Sequence, residues 1–247
     1  MYFTGIGTVV NIGLVVAGGL AGLVSGRFIK ERYQETILKI LGFGIVVMAL
    51  SGALAQMMVV EVEQSSNGFS AHINTQGTIM LIVSLSLGAI VGEWVDFDSW
   101  FERFGTWLKV KTRSHGDNLF VDGFVTASLT ICVGAMAIVG AINDGILQDP
   151  SMLYSKGVID FFIILAMTAA MGKGPIFAAI PVFVWQMMIT FAATLVMPIM
   201  TDVATSNLSM VGNTLIVCVG VNMIWPKTIR VANVLPALVF AVAFAFI

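Results

Sequence analysis

Residues 5–26 read Gly-Ile-Gly-Thr-Val-Val-Asn-Ile-Gly-Leu-Val-Val-Ala-Gly-Gly-Leu-Ala-Gly-Leu-Val-Ser-Gly, and the first charged side chain of the chain, Arg27, comes immediately after them. A helix needs about 20 predominantly apolar residues to cross a hydrocarbon core roughly 30 Å thick. Basic residues follow this run (Arg27, Lys30, Arg32) and none precedes it. That is the reverse of a secretory signal peptide, whose basic region comes first. The stretch therefore reads as a retained membrane helix, and the rest of the chain follows its example. Further apolar windows lie at roughly 37–60, 76–93, 119–142, 157–172, 175–199, 208–226 and 229–247. The fifth is short and meets the sixth at Met171-Gly172-Lys173-Gly174-Pro175, so these two read either as full spans or as a broken, re-entrant pair. Asn233 and Pro236 interrupt the last.

Composition agrees. Of 247 residues, 58% are apolar and 11% are charged, and mean hydropathy is +0.97. A soluble domain carries about 25% charged residues, so a soluble enzyme, a nucleic-acid binder and a disordered chain are all excluded. The formal net charge of −2 gives no reason to expect a polyanionic partner. Cys132 and Cys218 lie inside apolar runs, and His72 and His115 lie in expected loops, so neither a disulfide framework nor a metal site is expected. No cofactor is expected either. The fold class that follows is all-α: a polytopic transmembrane helix bundle of about eight spans, with six or seven as alternatives, forming one integral membrane domain over residues 1–247.

With the N-terminus outside, the inside loops hold Arg27, Lys30, Arg32 and Lys39; Arg103, Lys109, Lys111 and Arg113; Lys173; and Lys227 and Arg230. Only Lys156 falls outside, as the positive-inside tendency requires. In the longest polar stretch, 94–118, Trp94, Phe97, Trp100, Phe101, Phe104, Trp107 and Leu108 recur at helical spacing among Asp96, Asp98, Glu102, Arg103 and Lys109. The spacing predicts an amphipathic helix on the cytoplasmic membrane surface. In segment 27–39, Glu35 and Lys39 are placed for an i,i+4 pair.

Internal helix-pair repeats are a further expectation. At a constant offset of 70, Gly7, Thr8, Ile12, Gly18 and Gly22 match Gly77, Thr78, Ile82, Gly88 and Gly92. The following helices share Gly-Phe (42–43, 123–124) and Gly-Ala (52–53, 134–135), and Ile-Cys-Val-Gly at 131–134 echoes Val-Cys-Val-Gly at 217–220. Gly18-x-x-x-Gly22 and Gly88-x-x-x-Gly92 are faces that let helix backbones approach closely, and they predict tight packing of the first and third spans within the chain, with an oligomer seam as the alternative.

The chain resembles the YdfK/YqgA-like bacterial membrane proteins, a family of unknown function. The likeness rests on Gly7-Thr8-Val9-Val10-Asn11, Gly26-Arg27 and Glu31-Arg32, then on Tyr154-Ser155-Lys156-Gly157-Val158-Ile159-Asp160. It continues through Phe177-Ala178-Ala179-Ile180-Pro181-Val182 with Trp185-Gln186, and ends at Arg230-Val231-Ala232-Asn233-Val234-Leu235-Pro236-Ala237. Lys173 and Met187 depart from the pattern. The resemblance implies a polytopic protein of the bacterial cytoplasmic (inner) membrane.

Charged groups in a bilayer centre cost at least ~2.5 kcal/mol on insertion scales, which makes deep ones functional candidates. Asp160, at the start of the short fifth span with Lys156 one turn earlier, is a candidate ion site or proton carrier, or else a residue snorkelling at the outer interface. Asp122, at the inner end of the fourth span, is a second candidate for proton coupling. Asn143-Asp144 reads as a cap or turn. Asn11, Gln186, Asn213, Asn222 and Asn233 lie at mid-depth, where amides either coordinate a solute or tie helices together. Lys173, between two glycines and ahead of Pro175 at a helix start, is a candidate anion or gating residue. The rest of a P-loop is missing, so nucleotide binding is not supported.

Three functions compete. A gradient-driven transporter or channel for a small polar solute or ion fits the spans, the glycines and the mid-depth amides. A non-catalytic assembly or scaffold protein is the alternative, with a homo-oligomer as one form of it. A membrane enzyme is not expected: no Gly-x-Ser-x-Gly elbow is present, the histidines fall in loops, and Asp122 and Asp160 belong to opposite leaflets. The expected partners are the lipid bilayer and a small solute or ion, not nucleic acid.

Overall fold

A computed structural model describes residues 3–26, 31–65, 68–114, 116–132 and 135–247. Arg27, Lys30, His115 and the Val133-Gly134 part of the internal echoes lie outside the described residues. The helices are α1 (Ile6–Gly26), α2 (Glu31–Met57), α3 (Thr78–Val95), α4 (Phe97–Lys111), α5 (Phe120–Cys132), α6 (Ala135–Ile146), α7 (Ser151–Met171), α8 (Ala179–Phe191), α9 (Ala193–Val196), α10 (Asp202–Ile224) and α11 (Ala237–Ala243). Between α2 and α3 the chain forms an antiparallel ribbon, β1 (Met58–Ser65) with β2 (Gly68–Thr75), in a register that sets Glu61 opposite His72. His72 is thus a strand residue and not a loop residue. The alternation in Val60-Glu61-Val62-Glu63 is a period-2 pattern, too short to show against the apolar windows beside it.

Among the described residues, six stretches are long and apolar enough to cross a bilayer: α1, Glu35–Met57 of α2, α3, α7, Gly174–Phe191 and α10. The α5–α6 pair, bent by 59° at its break, makes a seventh if counted as one span. The eighth expected span is not a full one. The run Val231–Phe246 is shorter and is split into a 3-10 turn at Val231–Val234, the helix α11 and a final 3-10 turn. Pro236 has no N–H to donate, and the segment is held by other bonds described below. The stretch at 171–175 is a turn between two complete spans and not a re-entrant tip. Helix α7 begins at Ser151, whose N–H donates to Asp149 Oδ1 at 3.0 Å, six residues before the expected start. The charges of Lys156 and Asp160 had lowered the hydropathy there.

The glycine faces pack tightly, each on its own partner. Helices α1 and α7 run parallel along their lengths. A Cβ on Gly18, Gly22 or Gly26 would strike the carbonyl oxygen of Phe161, Leu165 or Ala169 respectively. Helix α3 runs antiparallel to the last segment, where Gly88 meets Ala237 and Gly92 meets the Asn233 carbonyl. The offset-70 match therefore holds for these two glycine pairs as a packing device. It fails at its start: Gly7 is helical and faces Leu153, whereas Gly77 has φ +75° and caps α3. Helices α2 and α10 form the other long contact, also antiparallel, with Gly42 against the Gly220 carbonyl and Ser206 Oγ 2.9 Å from Gln56 Oε1. Outer faces carry Leu20, Val24, Ile79 and Val239, all exposed as lipid-facing side chains would be.

Helix α4 is shorter than the expected 94–118. Trp94 belongs to the last turn of α3, and the chain turns through the left-handed residue Asp96 (φ 59°). Trp94, Trp100 and Trp107 project outward, which suits the interface at headgroup level. The corner is tied to the last segment. Asn233 Oδ1 accepts the Asp98 N–H at 2.8 Å, and Arg230 pairs with Glu93 at 2.7 Å, Asp96 at 2.5 Å and Asp98 at 3.7 Å. The expected pair of Lys39 with Glu35 also forms, at 2.7 Å on an exposed face.

Two predictions follow from this packing. Gly92→Ala overpacks a closed backbone contact, which costs about 1–3 kcal/mol, so its thermal unfolding in detergent falls by several degrees. Gly13→Ala, where nothing lies near the new methyl, leaves it unchanged. At the α3–α4 corner the Ser99 hydrogen bond, and after it Arg230, hold the Asp96 carboxyl below the usual carboxylate range. A pKa depressed by folding adds stability above its unfolded value, and this is lost as pH falls through the folded one. Protection factors of the Phe97–Lys111 amides, taken relative to the intrinsic exchange rate at each pH, therefore fall as pH drops below the ordinary Asp range, and Arg230→Gln lowers them at neutral pH.

Candidate functional site

The polar residues of the spans do not share one fate. Asn222 is wholly engaged with the α10 exit loop: its Nδ2 donates to the Ile229 carbonyl at 2.6 Å and its Oδ1 accepts the Ile229 N–H at 2.9 Å. Asn213 Nδ2 lies 3.3 Å from Ser209 Oγ, and the side chain packs on Gly52 of α2. Asn233 caps α4. These amides serve as interhelical glue, and Asn213 and Asn222 do not join a common site. Asp144, at the end of α6, is the cap that Asn143-Asp144 suggests, but for another helix: its Oδ2 accepts the Gly7 N–H of α1 at 3.1 Å. A carboxylate at a helix N-terminus is favoured by the helix dipole.

Lys173 also departs from expectation. Its side chain is exposed, and its backbone N–H already donates to Asp117 Oδ2 at 2.8 Å. The position where an anion would bind at this turn is filled by the protein's own carboxylate. Gly172 adopts φ +81° beside Asp117, a conformation and a proximity that only glycine permits. Asp122 sits half-buried in the first turn of α5, ten residues before Cys132, a helical distance of about 15 Å. It is therefore remote from Asp160.

What remains converges. Asp160 is the tenth of the 21 residues of α7, near the helix midpoint and not at its outer end. It pairs with Lys156 one turn earlier, and the two residues are 3% and 5% exposed. The parallel contact with α1 sets Asn11 against Gly157 and brings its side chain to Asp160. From α8, Gln186 completes the group: Asn11 Nδ2 donates to Gln186 Oε1 at 3.2 Å, and both side chains are fully buried. Three of the residues singled out from sequence therefore meet, with Lys156 as the fourth member.

The cluster has unused capacity. Among the described residues, Asn11 Oδ1, Gln186 Nε2, Thr8 Oγ1 and Thr190 Oγ1 are buried without a hydrogen-bond partner. Thr8 lies one helical turn from Asn11 and Thr190 one turn from Gln186, so the two amides and two hydroxyls form a seam. An unpaired buried polar group costs about 1–3 kcal/mol, and such groups seldom accumulate without use. Cys132, the last described residue before the break between α5 and α6, lies within electrostatic reach of both Lys156 and Asp160. The seam was visible as Thr8-x-x-Asn11 and Gln186-x-x-x-Thr190, both at helical spacing. Cys132 gave no such signal, because its proximity depends on how α5 packs.

A bundle of long apolar helices around a buried, charge-paired polar cluster defines a polytopic membrane protein with a candidate intramembrane site. The family described as "Protein of unknown function (DUF554)" matches residues 6–246, and the chain belongs to it. It is similar to "Uncharacterized membrane protein YdfK" of Bacillus subtilis (strain 168), 26% identical over 243 residues that cover 98% of this chain and 96% of the relative. It is also similar to "Uncharacterized protein YqgA" of Escherichia coli (strain K12), 24% identical over 240 residues, which cover 96% and 94%. No solved structure matches the chain.

The pair at the centre of the cluster is testable by itself. Removing one partner of a buried ion pair costs about 3–5 kcal/mol, while replacing both with apolar residues is often neutral. Lys156→Met therefore destabilises strongly, and the double variant Lys156→Met/Asp160→Leu recovers most of the loss, read by denaturant unfolding in detergent.

Proposed function

We propose that the protein is a gradient-driven transporter or channel for a small polar solute or ion, working in the bacterial cytoplasmic membrane. The observation that carries this reading is the convergence of Asn11, Lys156, Asp160 and Gln186. Ionisable residues inside a membrane bundle mark solute pathways by default, and in transporters such groups gather near mid-depth beside interrupted helices. Both conditions have support here: Asp160 lies at the midpoint of α7, and the bent α5–α6 pair passes beside it at Cys132. Neither role needs a cofactor or an enzymatic centre. Asp122, in the first turn of α5, stands apart from this group.

The orientation with the N-terminus outside is part of the proposal. Arg103, Lys109, Lys111 and Arg113 on or after α4, Lys173 in the turn held by Asp117, and Lys227 and Arg230 beside the α3–α4 corner gather toward one end of the bundle. The positive-inside tendency places that end in the cytoplasm. A scaffold role is the second reading, favoured by the amides of Asn213, Asn222 and Asn233, which are spent on packing.

The test uses proteoliposomes preloaded with unlabelled glycine, methylammonium, rubidium and chloride, and asks whether external radiolabelled forms of any of them exchange inward. Wild-type protein exchanges at least one. The double variant Lys156→Gln/Asp160→Asn, which removes both charges and keeps hydrogen-bonding capacity, stays folded and exchanges none. Wild-type protein that exchanges none and co-purifies with a stoichiometric partner would establish the scaffold instead.

A further inference from the structure

Resting on that reading, we propose that the solute bound between α1, α7 and α8 is a small zwitterion carrying one ammonium and one carboxylate, for which glycine is the simplest probe. The argument is one of charge conservation in a medium of low dielectric. Lys156 and Asp160 neutralise each other, and both are at least 95% buried. Among the described residues α1 contributes no charged side chain, and Gln186 is the polar residue that α8 brings to the cluster. A cation seated on the Asp160 carboxylate would leave the Lys156 ammonium without its counter-charge, and an anion seated on Lys156 would strand Asp160. Each would place an uncompensated charge at the middle of α7, where it is most costly. A zwitterion exchanges one internal ion pair for two, its ammonium to Asp160 and its carboxylate to Lys156, and the net charge of the site stays zero.

The orphaned groups match the same solute. Asn11 Oδ1, an unpaired acceptor on the side chain that reaches Asp160, suits a remaining N–H bond of an ammonium, and Gln186 Nε2, an unpaired donor, suits a carboxylate oxygen. Thr8 Oγ1 and Thr190 Oγ1 each serve as donor or acceptor in the adjoining layer. The α1–α7 contact beside the pair is closed. Gly157 lies so close to Asn11 and Leu14 that a single methyl there would meet Leu14 Cδ1 at 2.8 Å and Asn11 Oδ1 at 3.3 Å.

The experiment compares radiolabelled glycine, acetate, methylammonium and rubidium in counterflow with the full chain in proteoliposomes, and measures the thermal unfolding of the detergent-solubilised protein with the same unlabelled solutes. Wild-type protein exchanges glycine, and glycine alone raises the unfolding temperature. Asp160→Asn and Lys156→Gln each lower glycine exchange by about a hundredfold, the scale of an uncompensated buried charge. They shift preference in opposite directions, Asp160→Asn toward acetate and Lys156→Gln toward methylammonium. If either variant fails to remain monodisperse, the wild-type solute ranking and unfolding shifts decide by themselves. Exchange of rubidium, methylammonium or acetate at or above the glycine rate overturns the zwitterion while leaving transport standing. No exchange of any probe, with no unfolding shift, overturns both.

Discussion

The contact between α1 and α7 governs the interior. Gly18, Gly22 and Gly26 let the α1 backbone rest on the carbonyl oxygens of Phe161, Leu165 and Ala169. In lipid there is no hydrophobic drive to bring two apolar helices together, so close van der Waals packing between small residues supplies much of the attraction. The same closeness fixes register. With the glycines seated, Asn11 falls opposite Gly157 and its amide reaches Asp160. A slip of one turn along the seam would put aliphatic side chains against the charged pair and separate Asn11 from Gln186. Glycine spacing and polar chemistry on α1 are thus one specification written on a single helix.

The polar residues sort by whether the backbone claims them. Asn222 and Asn233 have oxygens facing N–H groups that a turn or a helix start leaves free, and those oxygens are consumed there. Asp144 and Asp117 do the same with carboxylates, on Gly7 and on Lys173. Asn11 and Gln186 sit inside regular helices whose backbone groups are already paired, so their side chains have only each other and the Lys156–Asp160 pair to meet. A mid-helix amide facing another mid-helix amide is free for chemistry in a way that an amide at a helix end is not.

Much of this was legible in the residues, for physical reasons that can be named. The bundle followed from apolar runs of bilayer length. The tight faces of α1 and α3 followed from glycines four apart, and Asn11, Asp160 and Gln186 stood out because polar groups in hydrocarbon are costly. The errors are equally physical. Hydropathy placed the start of α7 at 157 because Lys156 and Asp160 offset the apolar residues around them, and this moved Asp160 from mid-depth to the rim. The final segment looked like a span by composition, but Pro236 and the pull of α4 on Asn233 divide it. Lys173 looked like an anion site because the competing carboxylate, Asp117, lies 56 residues away in sequence. Partners of glycine faces, and the nearness of Cys132 to the charged pair, depend on long-range packing that no local pattern encodes.

The bond from the Asp98 N–H to Asn233 Oδ1 joins positions 135 residues apart. During synthesis α4 emerges long before its cap exists. Until the segment bearing Arg230 and Asn233 has been made, the contacts open to this helix are those with earlier neighbours such as α5, where the Phe104 ring meets Phe124 edge-on. Closure of that late segment onto α3 then locks an early helix in place, so the segment acts as a backward-reaching clasp and not as one more independent span.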